Sequence, residues 1–84
     1  MIFYHGTDKH GLEETERQGY LLHKRAQGMS HCVYLAVDIE EARQYGDVLM
    51  RVEYDPQKNK SMNNYLEGCW QFRVYEPIYE WEVL

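Results

Sequence analysis

The sequence lacks the features that mark phosphate-loop proteins, membrane-spanning proteins and secreted proteins. Its 84 residues include only two cysteines and two prolines, and its six glycines are scattered, so they form no phosphate-binding loop. No run approaches the roughly 18 apolar residues of a membrane-spanning helix. The segment from Met1 to Thr7 does not have the basic-then-apolar pattern of a signal peptide. We therefore expect a cytoplasmic protein with no membrane association, in which Cys32 and Cys69 are reduced and buried.

Basic side chains are outnumbered by acidic ones. Nine lysines and arginines against 14 aspartates and glutamates give a formal net charge of −5, and the isoelectric point is about 5.2. Broad nucleic-acid binding needs a basic face, so it is not expected. A charge of this size is ordinary for a small domain, and it leaves a local basic site open.

Aromatic residues are abundant. They make up 14% of the chain, with eight tyrosines and two tryptophans, and 44% of all residues are hydrophobic. This composition can form a packed core and is unlike that of disordered chains. At about 100–200 residues per domain, the length predicts one domain over residues 1–84, with a thin core.

Hydrophobic periodicity and chain-breaking residues predict strands together with two short helices. The predicted strands are Ile2–Thr7, Cys32–Val37, Val48–Tyr54, Trp70–Glu76 and Glu80–Leu84. The predicted helices are Leu12–Gln18, ended by Gly19, and 39–45, capped by Asp38 and Glu41 and burying Ile39, Ala42 and Tyr45. Residues 23–30 and 57–64 are predicted loops, and 65–69 is ambiguous. Because strands cluster late in the chain, the pattern favours an α+β fold over a doubly wound parallel sheet.

Four histidines and two cysteines raise the question of a metal site or a catalytic nucleophile. The histidines are His5, His10, His23 and His31. No pair among these six residues has a recognised metal-ligand spacing, so no metal site is predicted. The spacing does not support a Cys–His nucleophile pair either. Lys24–Arg25 forms a compact basic spot that either binds a phosphate or faces water.

Three short motifs occur in an informative order. They are Tyr4–Thr7 (YHGT), Val33–Ala36 (VYLA) and Gln71–Ile78 (QFRVYEPI). With an aspartate-capped helix directly after VYLA, this order resembles the ADP-ribosyltransferase superfamily. The closest class is the His-Tyr-Glu class of diphtheria-type toxins and poly(ADP-ribose) polymerases. The resemblance implies a small ADP-ribosyltransferase-like split β-sheet with two short helices, in a chain shorter than typical members.

The resemblance also implies NAD+ as the cofactor and assigns roles to residues around it. His5 would bond a ribose hydroxyl, and the backbone of Gly6 would hold the nicotinamide amide, with Thr7 lining the same pocket. Tyr34 would stack on the nicotinamide ring, and Lys24–Arg25 would meet the pyrophosphate. These roles suit a reaction in which nicotinamide leaves through an oxocarbenium-like state, which needs an aromatic wall and ribose anchors.

Gln71 stands where the family carries its glutamate. An amide can bond a ribose hydroxyl as donor or acceptor. It cannot supply the negative charge that stabilises a cationic transition state, nor act as a base. Losing one such electrostatic partner costs about 10²–10³ in rate. Neither Glu67 nor Glu76 is expected to take its place.

Two functions from different classes follow. The first is a catalytically impaired or inactive protein that keeps a nucleotide pocket and acts by binding a protein partner. Small acidic inhibitors of host defence encoded by viruses or mobile elements are the analogy. The alternative is an active mono-ADP-ribosyltransferase or NAD+ glycohydrolase that uses His5, Tyr34 and Gln71. A purely structural interpretation stays open, with His5 in the core, Tyr34 packed and Gln71 on the surface.

Overall fold

The computed structural model describes residues 1–22, 32–55, 65–66, 69–74 and 76–84, with the backbone alone at 65–66 and 69–72. Its elements are, in chain order, β1 (Ile2–Thr7), α1 (Lys9–Gln18), β2 (Val33–Ala36), α2 (Ile39–Arg43), β3 (Val48–Glu53), β4 (Tyr65–Leu66), β5 (Cys69–Val74) and β6 (Glu82–Val83). The prediction of a small α+β fold is confirmed. The split arrangement that the resemblance implies stays a prediction.

The described strands form one sheet in the order β4-β5-β2-β1-β3-β6. All of the described pairings are antiparallel. Strand β1 lies between β2 and β3, with Tyr4 opposite Ala36 on one side and His5 opposite Met50 on the other. The first motif, YHGT, is therefore held in the middle of the sheet by hydrogen bonds on both edges.

The core lies on one side of the sheet, which we call the core face. Side chains alternate along a strand, so Phe3, His5 and Thr7 share this side of β1. The buried cluster is Phe3, Leu21, Val33, Leu35, Met50, Val52, Val74 and Ile78. Leu21 and Ile78 close over it through two backbone hydrogen bonds of 2.8 and 3.1 Å. Cys32 is also buried, as expected.

Helix α1 covers the end of the core face and begins three residues before its predicted start. The Asp8 carboxylate accepts a hydrogen bond from the Gly11 amide at 2.7 Å, so Asp8 is the N-cap. Such a cap satisfies one of the unpaired amides of a first helical turn. A side chain at position 11 would meet Thr7 Oγ1 at 2.0 Å, so glycine permits the close contact with β1. The helix ends at Gly19, whose φ is 84°, as predicted.

Helix α2 covers part of the other side of the sheet, which we call the open face. A Cβ at Gly6 would lie 1.8 Å from the Ala42 carbonyl oxygen, so α2 rests directly on β1 there. Asp38 caps this helix by accepting from the Glu40 amide at 2.9 Å. The helix ends at Arg43 and not at Tyr45, and the prediction that Tyr45 is buried is wrong. Because the helix stops early, Tyr45 leaves the buried stripe and is 50% exposed.

The remaining boundaries differ modestly from prediction. Strand β5 begins at Cys69 and ends at Val74, and β6 covers only Glu82–Val83. The ambiguous segment contributes β4, which pairs with β5. The predicted loops lie outside the described residues. No helix in the described part of the chain is long and apolar enough to cross a membrane.

Candidate functional site

His5 lies within the sheet, and the residue is only 4% exposed. Nδ1 donates a hydrogen bond to the backbone carbonyl of Tyr34 at 2.9 Å. Because a carbonyl oxygen only accepts, Nδ1 carries the proton in this contact. The bond joins β1 to β2, and it satisfies a polar group that would be costly to bury without a partner. A ligand could reach this ring only after a local opening of the structure.

Tyr34 points to the open face, where two other side chains contact its ring. The rings of Tyr34 and Tyr45 are nearly parallel, at 3°, with centroids 6.4 Å apart. The Arg73 guanidinium carbon lies 5.8 Å from the Tyr34 centroid, and Arg73 is directly opposite Tyr34 in the pairing of β2 with β5. We call Tyr34, Tyr45 and Arg73 the tyrosine–arginine cluster. The Tyr34 side chain lies on the side of β2 opposite the buried Val33 and Leu35.

The chemistry of this cluster suits a flat ligand that carries negative charge. The faces of tyrosine rings stack on planar heterocycles. A guanidinium can lie over an aromatic ring and also offers paired donors to phosphate. Tyr45 and Arg73 are exposed and Tyr34 is partly buried. The cluster is therefore accessible from solvent and is anchored by its central ring.

Gly6 and Thr7 are held by opposite helices. Gly6 faces α2, with the Ala42 carbonyl against it, whereas Thr7 is buried beside Gly11 of α1. Both residues thus have packing roles in the sheet. Their predicted contacts with a nicotinamide group stay predictions.

Gln71 lies on β5, with its backbone opposite Ala36. This register position is two residues from the Tyr34–Arg73 pair, so position 71 belongs to the strand that carries the arginine of the cluster. Lys24–Arg25 lies outside the described residues. The structure pairs β2 with β5, and it places the side chains of His5 and Tyr34 on opposite faces of the sheet.

Sequence reasoning missed Tyr45 and Arg73 as site residues. A signal existed for Arg73, because the alternation of Trp70–Glu76 places it on the same side as Gln71. No signal existed for Tyr45, since its exposure depends on where α2 ends. A similar alternation along β1 groups His5 with Phe3, and that pattern was available from the sequence.

A separate pocket of about 180 Å³ lies toward the β6 end of the strand order, beside β1, β3 and β6. It is lined by Ile2, Arg51, Glu53, Glu80, Trp81 and Glu82. None of these residues belongs to the tyrosine–arginine cluster. Among the residues that the structure describes, no group of three or more histidine, cysteine, aspartate or glutamate side chains is arranged to hold a metal ion.

Comparison with known proteins adds no relative to this picture. No family model, no curated protein and no solved structure matches this chain at a significant level. The suggested relationship to ADP-ribosyltransferases therefore rests on the three motifs YHGT, VYLA and QFRVYEPI and on their order along the chain.

Proposed function

We propose that this protein is an ADP-ribosyltransferase-like domain without transferase activity. In this proposal it binds a macromolecular partner and holds a nucleotide of the NAD+ type at the tyrosine–arginine cluster. The observation that carries the proposal is the position of His5. Its imidazole is buried on the core face and bonded to the Tyr34 carbonyl, whereas the Tyr34 ring lies on the open face.

The separation of these two side chains argues against catalysis. Nicotinamide loss needs ribose anchors, an aromatic wall and a negative charge around one substrate, within fractions of an ångström of their productive positions. Here His5, the expected ribose anchor, is buried on the core face, whereas Tyr34, the expected aromatic wall, lies on the open face. Gln71 also lacks the charge of the family's glutamate. Both features remove stabilisation from the transition state while leaving a place for a ring to stack.

The cluster supports the binding half of the proposal. A nicotinamide or adenine ring can stack on Tyr45, which is 50% exposed, and the exposed Arg73 can meet the pyrophosphate. Stacking of a base on an aromatic side chain is worth about 1–3 kcal/mol. The cluster alone therefore predicts weak binding, which a larger partner would have to supplement.

Calorimetric titration with NAD+ tests the binding half. We expect Tyr45→Ala to weaken affinity by about fivefold or more, which corresponds to the lower end of the stacking energy. Tyr79→Ala is the matched control, because Tyr79 is 69% exposed and packs against Tyr20 away from the cluster. Equal affinity of the wild type and Tyr45→Ala would refute the proposed binding position.

Release of nicotinamide from NAD+ tests the catalytic half. We expect no release by the wild type and none by Gln71→Glu, because restoring the carboxylate does not bring His5 to the open face. Release by the wild type would establish the active transferase or glycohydrolase. Release by Gln71→Glu alone would show that His5, Tyr34 and position 71 meet around one substrate.

A further inference from the structure

The pocket beside β6 is the strongest candidate for a second binding site outside the tyrosine–arginine cluster. Its volume is about 180 Å³, whereas pockets that hold drug-sized ligands measure roughly 300–1,000 Å³. It therefore has room for a group of side-chain size and is too small for a nucleotide. Its walls come from the start of β1, from β3 and from the segment that enters β6.

The charges around this pocket are unbalanced. Arg51 forms an ion pair with Glu82. The carboxylates of Glu53 and Glu80 have no hydrogen-bond or ion-pair partner among the residues that the structure describes. The chain as a whole also carries a net charge of −5. The pocket thus presents two uncompensated carboxylates on a protein whose overall field attracts cations.

An indole ring gives the pocket its fixed wall. Trp81 is partly buried and packs against the core cluster, and this contact holds its ring in place. Tryptophan is the aromatic side chain that attracts cations most strongly, through the electrons of its ring face. Ile2, which is 39% exposed, adds an apolar surface. Lysine and arginine need this combination, since their aliphatic stems favour apolar contacts and their heads favour carboxylates.

We propose that this pocket is a docking surface for a lysine or arginine side chain on a basic segment of a partner protein. The charge of the pocket selects a cation, its size selects a single side chain, and Trp81 with Ile2 selects a cation on an aliphatic stem. The proposal does not rest on nucleotide binding, because none of the three residues of the tyrosine–arginine cluster lines this pocket. The proposal specifies that the partner carries a basic segment, which is complementary in charge to this acidic protein.

A blocked seven-residue peptide of alternating glycine and arginine is a direct probe. Its binding is followed by the indole N–H signal of Trp81 in proton–nitrogen spectra, which is identified by its loss in Trp81→Phe. We expect this signal to shift on titration with the peptide at low salt. A peptide with glutamine in place of each arginine is expected to leave the signal unchanged.

A pair of double variants separates the pocket from general attraction. We expect Glu53→Gln with Glu80→Gln to weaken peptide affinity about five- to tenfold, which is the effect of losing two exposed charge contacts. The control is Glu13→Gln with Glu16→Gln, which removes the same charge from exposed positions of α1. Equal weakening by both double variants would overturn the proposal, because it would show attraction to net charge alone. An unmoved Trp81 signal would also overturn it.

Discussion

The two sides of strand β1 make an instructive comparison. On the core face, His5 and its neighbours are sealed by the hydrophobic cluster and by α1. On the open face, the five-residue helix α2 covers Gly6, and Tyr34, Tyr45 and Arg73 retain access to solvent. His5 and Gly6 are adjacent in one motif, and yet His5 faces the core and Gly6 faces α2 on the opposite side of the sheet. The comparison teaches that the histidine of YHGT is buried and bonded within the fold, whereas the proposed ligand contact lies on the other side.

The largest expected effect comes from disturbing the contact between β1 and α2. Gly6→Ala would place a Cβ 1.8 Å from the Ala42 carbonyl oxygen, so the helix must move. Overpacking typically costs about 1–3 kcal/mol and occasionally more, and a backbone clash belongs at the upper end. We expect a loss of about 3 kcal/mol or more in the free energy of unfolding, measured by urea denaturation.

Gly19→Ala is the control for this substitution. Gly19 has no atom within 4 Å of its added Cβ, and only its φ of 84° opposes a side chain. That conformation costs about 1 kcal/mol for alanine. If Gly6→Ala costs no more than Gly19→Ala, the close packing of α2 on the open face is wrong.

The next effect separates the two faces by function. His5→Leu removes the donor to the Tyr34 carbonyl, and an unsatisfied buried group costs about 1–3 kcal/mol. We expect that loss of stability with unchanged NAD+ affinity in the folded protein. Tyr45→Ala is expected to do the reverse, since Tyr45 is half exposed. A His5→Leu protein of normal stability that no longer binds NAD+ would contradict the comparison.

A smaller effect links helix α2 to the cluster. Asp38→Ala removes the N-cap of α2, which costs about 1 kcal/mol. Because Tyr45 lies only two residues after the end of this helix, we expect NAD+ affinity to fall as well. Asp8→Ala removes the corresponding cap of α1, so it should cost a similar amount of stability and leave affinity unchanged. Equal affinity losses in both variants would show that the helix on the open face has no special role.

The smallest effect concerns the edge of the sheet. Arg51 and Glu82 are both exposed, and they pair across β3 and β6. Exposed ion pairs contribute about 0.2–1 kcal/mol and are screened by salt. Glu82→Gln should therefore lower the thermal midpoint slightly at low ionic strength and leave it unchanged in 1 M salt. A loss that persists in high salt would show a packing role for Glu82 instead.

Much of the fold was accessible from the sequence because local signals agreed. The alternation over Val48–Tyr54 and the cap at Asp38 predicted β3 and the start of α2 correctly. The start of α1 was missed because Asp8 reads equally as a turn residue and as an N-cap. The end of α2 was missed because the apolar pattern of Ile39, Ala42 and Tyr45 continues past Arg43, where the helix ends.

The candidate site was less accessible for a related reason. Strands β1, β2 and β5, which carry residues of the three motifs, are neighbours in the sheet. Alternation of side chains already places His5 with Phe3, and Tyr34 with Ala36, on one side of their own strands. Only the pairing register shows which sides of two neighbouring strands form the same face of the sheet. Arg73 and Tyr45 join Tyr34 through that register and through the end of α2, so the cluster could not be assembled from motifs alone.

The central claim is that a nucleotide contacts the open face while His5 stays buried and structural. Titration of the isotope-labelled protein with NAD+, followed by the backbone amides and the histidine ring signals together, tests this claim most directly. The account predicts shifts at Tyr34, Tyr45 and Arg73, an unmoved His5 ring signal and no free nicotinamide. A shift of the His5 ring accompanied by nicotinamide release would contradict it, and so would the absence of any shift at the tyrosine–arginine cluster.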